Sequence, residues 1–251
     1  MNGRLAGKRV ILTGGVANIG REVVRAFVAE GARVTVGDLN AEAGKALVVE
    51  LGAAVAFRTV DVTREDSVRD FIASGVEWLG GLDVLVQNAG LQHSGAVTGF
   101  DAARWDALFA VNSRAHFFGA KYAVPHLRAA GKGSIVNTSS LAGKRGGPGM
   151  TAYSASKGAV IAFGTALAME LAGDNIRVNT ICPGWVDTPF NQPAIDFMGG
   201  TGAQAQAVRQ VVPLGRQAVP REIAPLYVYL ASDESSYMTA QAIAIDGGMH
   251  N

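Results

Sequence analysis

The sequence predicts a single-domain α/β fold over residues 1–251, a doubly wound parallel seven-stranded sheet with helices on both faces. Three observations predict it. Short β-branched runs alternate strictly with longer helical patterns. The short runs are almost continuously apolar, as in strands buried on both faces. A glycine-rich turn joins the first run to the first helical pattern, as expected where a sheet of this kind binds a ligand at the carboxyl ends of its strands.

The strand runs fall at residues 9–13, 33–36, 54–57, 83–86, 134–137, 177–181 and 242–245. Helical patterns fill residues 20–30, 41–51, 64–79, 102–130, 152–172 and 221–231. Parallel neighbours joined through helices require crossover connections, which are right-handed. Residues 190–212 are rich in Gly and Ala and carry Gly-Gly, which predicts a mobile lid with no single preferred conformation.

Composition removes several classes. Hydrophobic residues make up 49% of the chain, enough for a sizeable core. A net charge of +1 gives no electrostatic case for nucleic acid or an anionic membrane. Cys182 is the one cysteine, so no internal disulfide, all-cysteine metal site or other metal set is expected, and its apolar strand points to a buried inert thiol. Residues 1–7 lack the apolar core of a secretory signal, and no apolar run is read as a membrane span. The expectation is a soluble, cytoplasmic protein.

The turn after the first strand runs from Thr13 through Gly14 and Asn18 to Ile19 and Gly20. Glycines there permit a tight turn and let backbone N–H groups approach a pyrophosphate at a helix N-terminus. Asp38 ends the second strand, eighteen residues after Gly20, where a carboxylate can accept both hydroxyls of an adenosine ribose and repel an added 2′-phosphate. NAD is favoured over NADP. Asp38 could equally cap the next helix. Asp61 and Val62, after the third strand, would lie beside the adenine, although Asp61 also suits a helix cap.

Tyr153 and Lys157 stand four residues apart near a helix start and so share one helix face. An ammonium beside a phenol favours phenolate, which predicts a lowered Tyr153 pKa and a proton donor and acceptor near neutral pH.

Together these motifs resemble the short-chain dehydrogenase/reductases over essentially the whole length. The matches are the Thr13 to Gly20 turn, Asp61-Val62, Asn88-Ala89-Gly90, Asn112, Ser139-Ser140, Tyr153 with Lys157, Pro183-Gly184 with Thr188, and Asp246-Gly247-Gly248. One departure is Asn18, where the family usually has Gly; Asn tolerates left-handed backbone better than most residues. The resemblance implies a Rossmann-like fold and a catalytic set of Asn112, Ser140, Tyr153 and Lys157. Ser140, thirteen residues before Tyr153, would hold the substrate oxygen in place of Ser139. Tyr153 would pass the proton, Lys157 would bind the nicotinamide ribose and lower the Tyr153 pKa, and Asn112 would anchor a water leading to Lys157. The implied cofactor contacts are Gly14, Asn18, Ile19, Gly20, Asp38, Leu39, Asp61, Val62, Asn88, Ala89, Gly90, Tyr153, Lys157, Pro183 and Gly184. Val186 and Thr188 would take the carboxamide.

By the same resemblance the substrate pocket would use Gln92, His93, Leu141, Met150, Trp185 and Phe190, a mostly apolar set with Leu91 close by. Such a pocket suits a small or medium secondary alcohol or ketone, including cyclic ones. The leading expectation is an NAD-dependent alcohol dehydrogenase or ketone reductase, assembled by family analogy as a homotetramer on helices 102–130 and 152–172 and the C-terminal segment. The tail Met249-His250-Asn251 could reach a neighbouring subunit. An NADPH-linked 3-ketoacyl reductase is the alternative, opposed by Asp38 and by the absence of a basic residue from Gly14 to Ile19. A non-catalytic dinucleotide-binding regulator is a third; the complete set of four residues stands against it.

Overall fold

The computed structural model describes residues 3–250. Met1, Asn2 and Asn251 lie outside the described residues, and with them both ends of the expected domain and the last residue of the tail. The seven strands are β1 (Arg9–Thr13), β2 (Arg33–Asp38), β3 (Val55–Thr59), β4 (Val84–Gln87), β5 (Gly133–Thr138), β6 (Ile176–Pro183) and β7 (Ala242–Ile245). They form one parallel sheet in the order β3-β2-β1-β4-β5-β6-β7. The predicted bounds of these strands hold to within two residues.

The helices are α1 (Asn18–Ala29), α2 (Ala41–Leu51), α3 (Glu65–Leu79), α4 (Ala102–Phe109), α5 (Ala115–Ala129), α6 (Thr151–Leu171), α7 (Gln192–Phe197), α8 (Thr201–Val211) and α9 (Pro220–Ala231). Successive residues of a strand point to opposite faces, and β1 shows it directly. Val10 and Leu12 join Phe27, Leu47 and Tyr227 under α1, α2 and α9. Ile11 joins Phe71, Leu127 and Leu167 under α3, α5 and α6 on the other face. Both faces are therefore covered, which is why the strand runs are apolar without alternation.

The chain builds β1, β2 and β3 outwards to one edge and then returns to lay β4 against the other side of β1. Loops leaving β1 and β4 diverge there and open a crevice. Asn88 closes its floor by donating from Nδ2 to the Gly14 carbonyl at 2.8 Å.

Three sequence expectations need correction. The helix expected over 102–130 is divided by a π-helical stretch, Ala110–Arg114, between α4 and α5. The lid expected to lack a single conformation holds α7 and α8, with Gly199 and Gly200 confined to the turn between them at φ +95° and +103°. Ala194, Ile195, Gln204 and Val208 are buried and anchor the two helices. Thirdly, one helix, Thr151–Asp174, is long and apolar enough to cross a membrane by length and composition, with a mean hydropathy of 1.2. In the fold it packs along β6 and carries buried Tyr153 and Lys157.

Candidate active site

A cavity of about 380 Å³ runs along the carboxyl edge of the sheet. Its walls include Gly14, Asn18, Ile19 and Asp38 at one end, Asn88, Ala89, Gly90, Ser140, Tyr153 and Lys157 in the middle, and Pro183, Gly184, Val186 and Thr188 beyond.

The first turn is shaped by contact. Gly14 has φ +71°, and a Cβ there would stand 2.7 Å from the Ala89 backbone. A Cβ on Gly20 would collide with the Gly14 carbonyl oxygen. Asn18 adopts φ 50°, the left-handed backbone expected of a residue standing in for glycine. Ala17 precedes α1 without a side-chain cap, and the first turn of α1 holds no acidic residue. The leading N–H groups of α1 thus face the cavity with nothing from the protein's side chains to satisfy them, a setting that suits a phosphate anion. Asp38 does not cap α2; Asn40 does, accepting from the Ala43 N–H at 3.0 Å, while Asp38 accepts from the Asn40 N–H at 3.1 Å and lines the cavity.

Tyr153 and Lys157 lie on the first turns of α6 with 5% and 2% exposure. Lys157 Nζ donates to the Thr138 carbonyl at 3.0 Å and stands 6.0 Å from the Tyr153 ring centre. Burial pushes the Tyr153 phenol up to about 12, with the neighbouring Ser140 hydroxyl pulling the other way, and pushes Lys157 down to about 8. The sequence expectation of a lowered Tyr153 pKa is thus reversed, because desolvation dominates and the opposing pull comes from Ser140, not from Lys157. Ser139 donates to the Lys157 carbonyl at 2.7 Å, which commits its hydroxyl to holding α6. Ser140 accepts from the Ala142 N–H at 3.1 Å and keeps its own proton for the cavity.

Asn112 is fully buried in the π-helical stretch. Its amide donates to the Leu91 carbonyl and the Ser156 hydroxyl, both at 2.9 Å, and accepts from the Leu91 N–H at 2.7 Å. The side chain clamps the backbone beside Gly90. A Cβ on Gly90 would come within 3.4 Å of Lys157 Nζ and 3.6 Å of Asn112 Oδ1, so Asn112 and Lys157 converge on one short stretch of chain.

Other assigned residues lie off the cavity. Gly20 supports the turn from behind, and Leu39 is exposed. Asp61 accepts from the Thr63 N–H and hydroxyl at 2.9 and 2.7 Å, a turn ahead of α3 and not the helix cap that the sequence also allowed, since Arg64 holds the cap position of α3 without a side-chain bond. Val62 packs against the core under α3. Of the expected substrate residues, Gln92, Leu141, Met150, Trp185 and Phe190 line the cavity, whereas His93 does not. The segment after Gly90 is irregular, with Gln92 buried and His93 half-buried near Arg104. Burial, aided by Arg104, lowers the His93 pKa.

Sequence reading missed Thr138, Arg145, Val211 and Met249, which also line the cavity. Arg145 donates to the Met249 carbonyl and ties the loop before Tyr153 to the C-terminal segment. Only the tertiary fold brings those two stretches together. Cys182 is buried and its thiol is pushed up to about 11, the inert state expected of it.

Comparison with known proteins gives the family and the fold. A family profile described as Enoyl-(Acyl carrier protein) reductase matches residues 15–250. The chain is 39% identical over 249 residues to 3-oxoacyl-(acyl-carrier-protein) reductase of Thermotoga maritima, covering 98% of this chain and 99% of that one. The chain belongs to the short-chain dehydrogenase/reductase family. It is also 40% identical over 253 residues to 2,5-dichloro-2,5-cyclohexadiene-1,4-diol dehydrogenase of Sphingobium indicum, covering 99% of this chain and 98% of that one. The crystal structure of levodione reductase superposes with a TM-score of 0.92 at 31% identity, covering 98% of each chain. As a short-chain dehydrogenase/reductase, the chain is an oxidoreductase of alcohol and ketone groups that uses a nicotinamide dinucleotide.

Proposed function

We propose that the protein interconverts a secondary alcohol and a ketone on a small or medium, largely apolar and cyclic substrate, with NAD in preference to NADP. The observation that carries this is the single cavity with Asp38 at one end, the Ser140 and Tyr153 hydroxyls with Lys157 in its middle, and an apolar wall of Leu141, Met150, Trp185 and Phe190 around them. The open N-terminus of α1 and the crowded glycine turn fit a pyrophosphate, and Asp38 fits a ribose with free hydroxyls.

When bound, the dinucleotide supplies the hydride acceptor or donor and, oxidised, a positive ring charge. In the reducing direction the Tyr153 phenol gives its proton to the carbonyl oxygen while the Ser140 hydroxyl donates a hydrogen bond to the same atom. In the oxidising direction Tyr153 would act as phenolate, a state that the positive charge of a bound oxidised dinucleotide would favour over the high pKa of the empty site, and would take the proton from the alcohol. Lys157 keeps its ammonium at neutral pH and stands ready to bind a ribose hydroxyl. Asn112 holds the Gly90–Leu91 backbone on which that arrangement rests.

One relative named for a cyclic substrate, the cyclohexadienediol dehydrogenase, favours a ring over a long acyl chain. The 3-oxoacyl relative favours a second reading, an NADPH-linked 3-ketoacyl reductase. The same proposal makes the protein a cytoplasmic homotetramer, with exposed Trp105, Phe117 and Met169 on the outer faces of α4, α5 and α6 covered by further copies. A sedimentation mass near that of one 26.0 kDa chain would refute the assembly.

The test is absorbance of the reduced nicotinamide with NAD and separately with NADP, across cyclic and aryl secondary alcohols, hydroxyacids and a 3-hydroxyacyl thioester. Turnover of ring alcohols with NAD supports the first reading. Turnover of the thioester alone, with NADP, replaces it with the second.

A further inference from the structure

Among the described residues, Gln92 is the one expected substrate residue with a buried polar side-chain atom that the protein leaves unpaired. Its side chain is 4% exposed and lies on the cavity wall. The amide Nε2 donates to the Ser94 hydroxyl at 2.9 Å and leans on the Met150 sulfur at 3.7 Å. The carbonyl Oε1 is buried and meets no donor among the described residues. Its backbone is equally constrained, because the preceding residue, Leu91, is gripped at both its N–H and its carbonyl by Asn112. Met150 stands immediately before α6, three residues from Tyr153, so Gln92 is braced against the start of the helix that carries the phenol.

A buried acceptor in a largely apolar wall, with its desolvation cost unanswered by the described residues, calls for a donor on the ligand. A ring carbon or an ether oxygen cannot supply one. A hydroxyl can.

On the proposed reading of this site as a secondary alcohol dehydrogenase, we infer that Gln92 reads a second hydroxyl, so that the substrate is a cyclic diol or the matching hydroxyketone. Only the carbinol at Ser140 and Tyr153 is oxidised, its carbon-bound hydrogen leaving as hydride to the oxidised dinucleotide and its hydroxyl proton going to the Tyr153 phenolate. The second donates to Gln92 Oε1 and is unchanged. Leaving a buried acceptor unpaired costs about 1–3 kcal/mol, so a substrate lacking that donor should lose about 10- to 100-fold in kcat/KM.

The experiment uses the full chain with NAD and NADP, and compares cyclohexanol with cyclohexanediols bearing the second hydroxyl on the adjacent, next or opposite ring carbon, and with each diol's monomethyl ether. The ether keeps the size and one oxygen but cannot donate at the second position. At least one diol should exceed its ether by about 10- to 100-fold. Gln92→Met should bring that ratio to within about threefold of unity, an effect that mere loosening of the pocket would not produce because it weakens both members of a pair. Equal rates for every diol and its ether in the wild-type enzyme overturn the inference without any variant, as does a ratio undisturbed in Gln92→Met. Those outcomes leave the alcohol dehydrogenase reading standing. No turnover of any alcohol with either dinucleotide overturns that reading and this inference with it.

Discussion

The two ends of the cavity are built on different principles. At the Asp38 end, shape is enforced by collision: backbone lies within 3 Å of where a Cβ would sit on Gly14, and a Cβ on Gly20 would strike the Gly14 carbonyl. At the lid end, Gly199 and Gly200 also have positive φ, yet nothing lies within 4 Å of a Cβ on either. The first glycines answer to neighbours and the second only to backbone torsion.

Tyr153 lies where the two ends meet, and its loss should give the largest effect. Tyr153→Phe keeps the ring and removes the proton, so turnover should fall by about 10²- to 10⁴-fold while dinucleotide binding, followed by fluorescence titration, persists. Retained turnover would show that the phenol is not the acid and base.

The contrast in glycines predicts unequal damage. Gly20→Ala should cost about 3 kcal/mol or more in chemical denaturation and abolish dinucleotide binding, because backbone must move to admit the methyl. Gly200→Ala should cost only about 1 kcal/mol and spare binding. Equal costs would erase the distinction drawn between the ends.

His116, on α5, is 2% exposed and among the described residues neither ring nitrogen meets a hydrogen-bond partner of good geometry, although the Gln87 and Asn112 backbone lies near enough to oppose the shift weakly. Burial, reinforced by the nearby Lys157 charge, pushes its pKa down to about 3 from 6.5. The unfolded chain therefore binds a proton below pH 6.5 that the folded chain refuses, and stability should drain away as pH falls from 6.5 towards 3, by a few kcal/mol. His116→Leu should flatten that part of the curve of denaturation midpoint against pH. A wild-type curve already flat from pH 6.5 to 4 would contradict the assignment.

Asp38→Ala should raise the NADP to NAD ratio of kcat/KM about tenfold by removing a repelling charge and two ribose hydrogen bonds. An unchanged ratio would move cofactor choice elsewhere and weaken the case for Asp38 as a reader of the ribose.

Much of the molecule could be read before it was folded, for physical reasons that differ by region. Strands such as Val84–Gln87 are buried on every residue and announce themselves as apolar runs. The turn at Gly14 and Asn18 announces itself through residues that tolerate left-handed backbone. What escaped lacked such a signature. In α8 the buried set is Gln204 and Val208, and Gln204 is satisfied by Gln217 at 3.1 Å, a polar anchor that no hydrophobic period reveals. His93 is expected in the pocket because it follows Asn88-Ala89-Gly90, but sequence position does not say which residues of an irregular segment reach the cavity, and Gln92 does while His93 does not. The sign of the Tyr153 shift escaped because spacing shows that a lysine is near, not that burial is stronger. Arg145 and Met249, about a hundred residues apart, share no local pattern at all.

The π-helical stretch at Ala110–Arg114 acts as a phase shifter. Such a stretch carries one residue more than the α-helix around it, and each α-helical residue turns the helix by about 100°. Upstream of it the helix presents Trp105 to the surface; within it Asn112 points inwards. A deletion of one residue there would leave a smoother helix and rotate one of those two faces out of place. The irregularity lets a single rod face outwards along one part and reach the Gly90–Leu91 backbone along another.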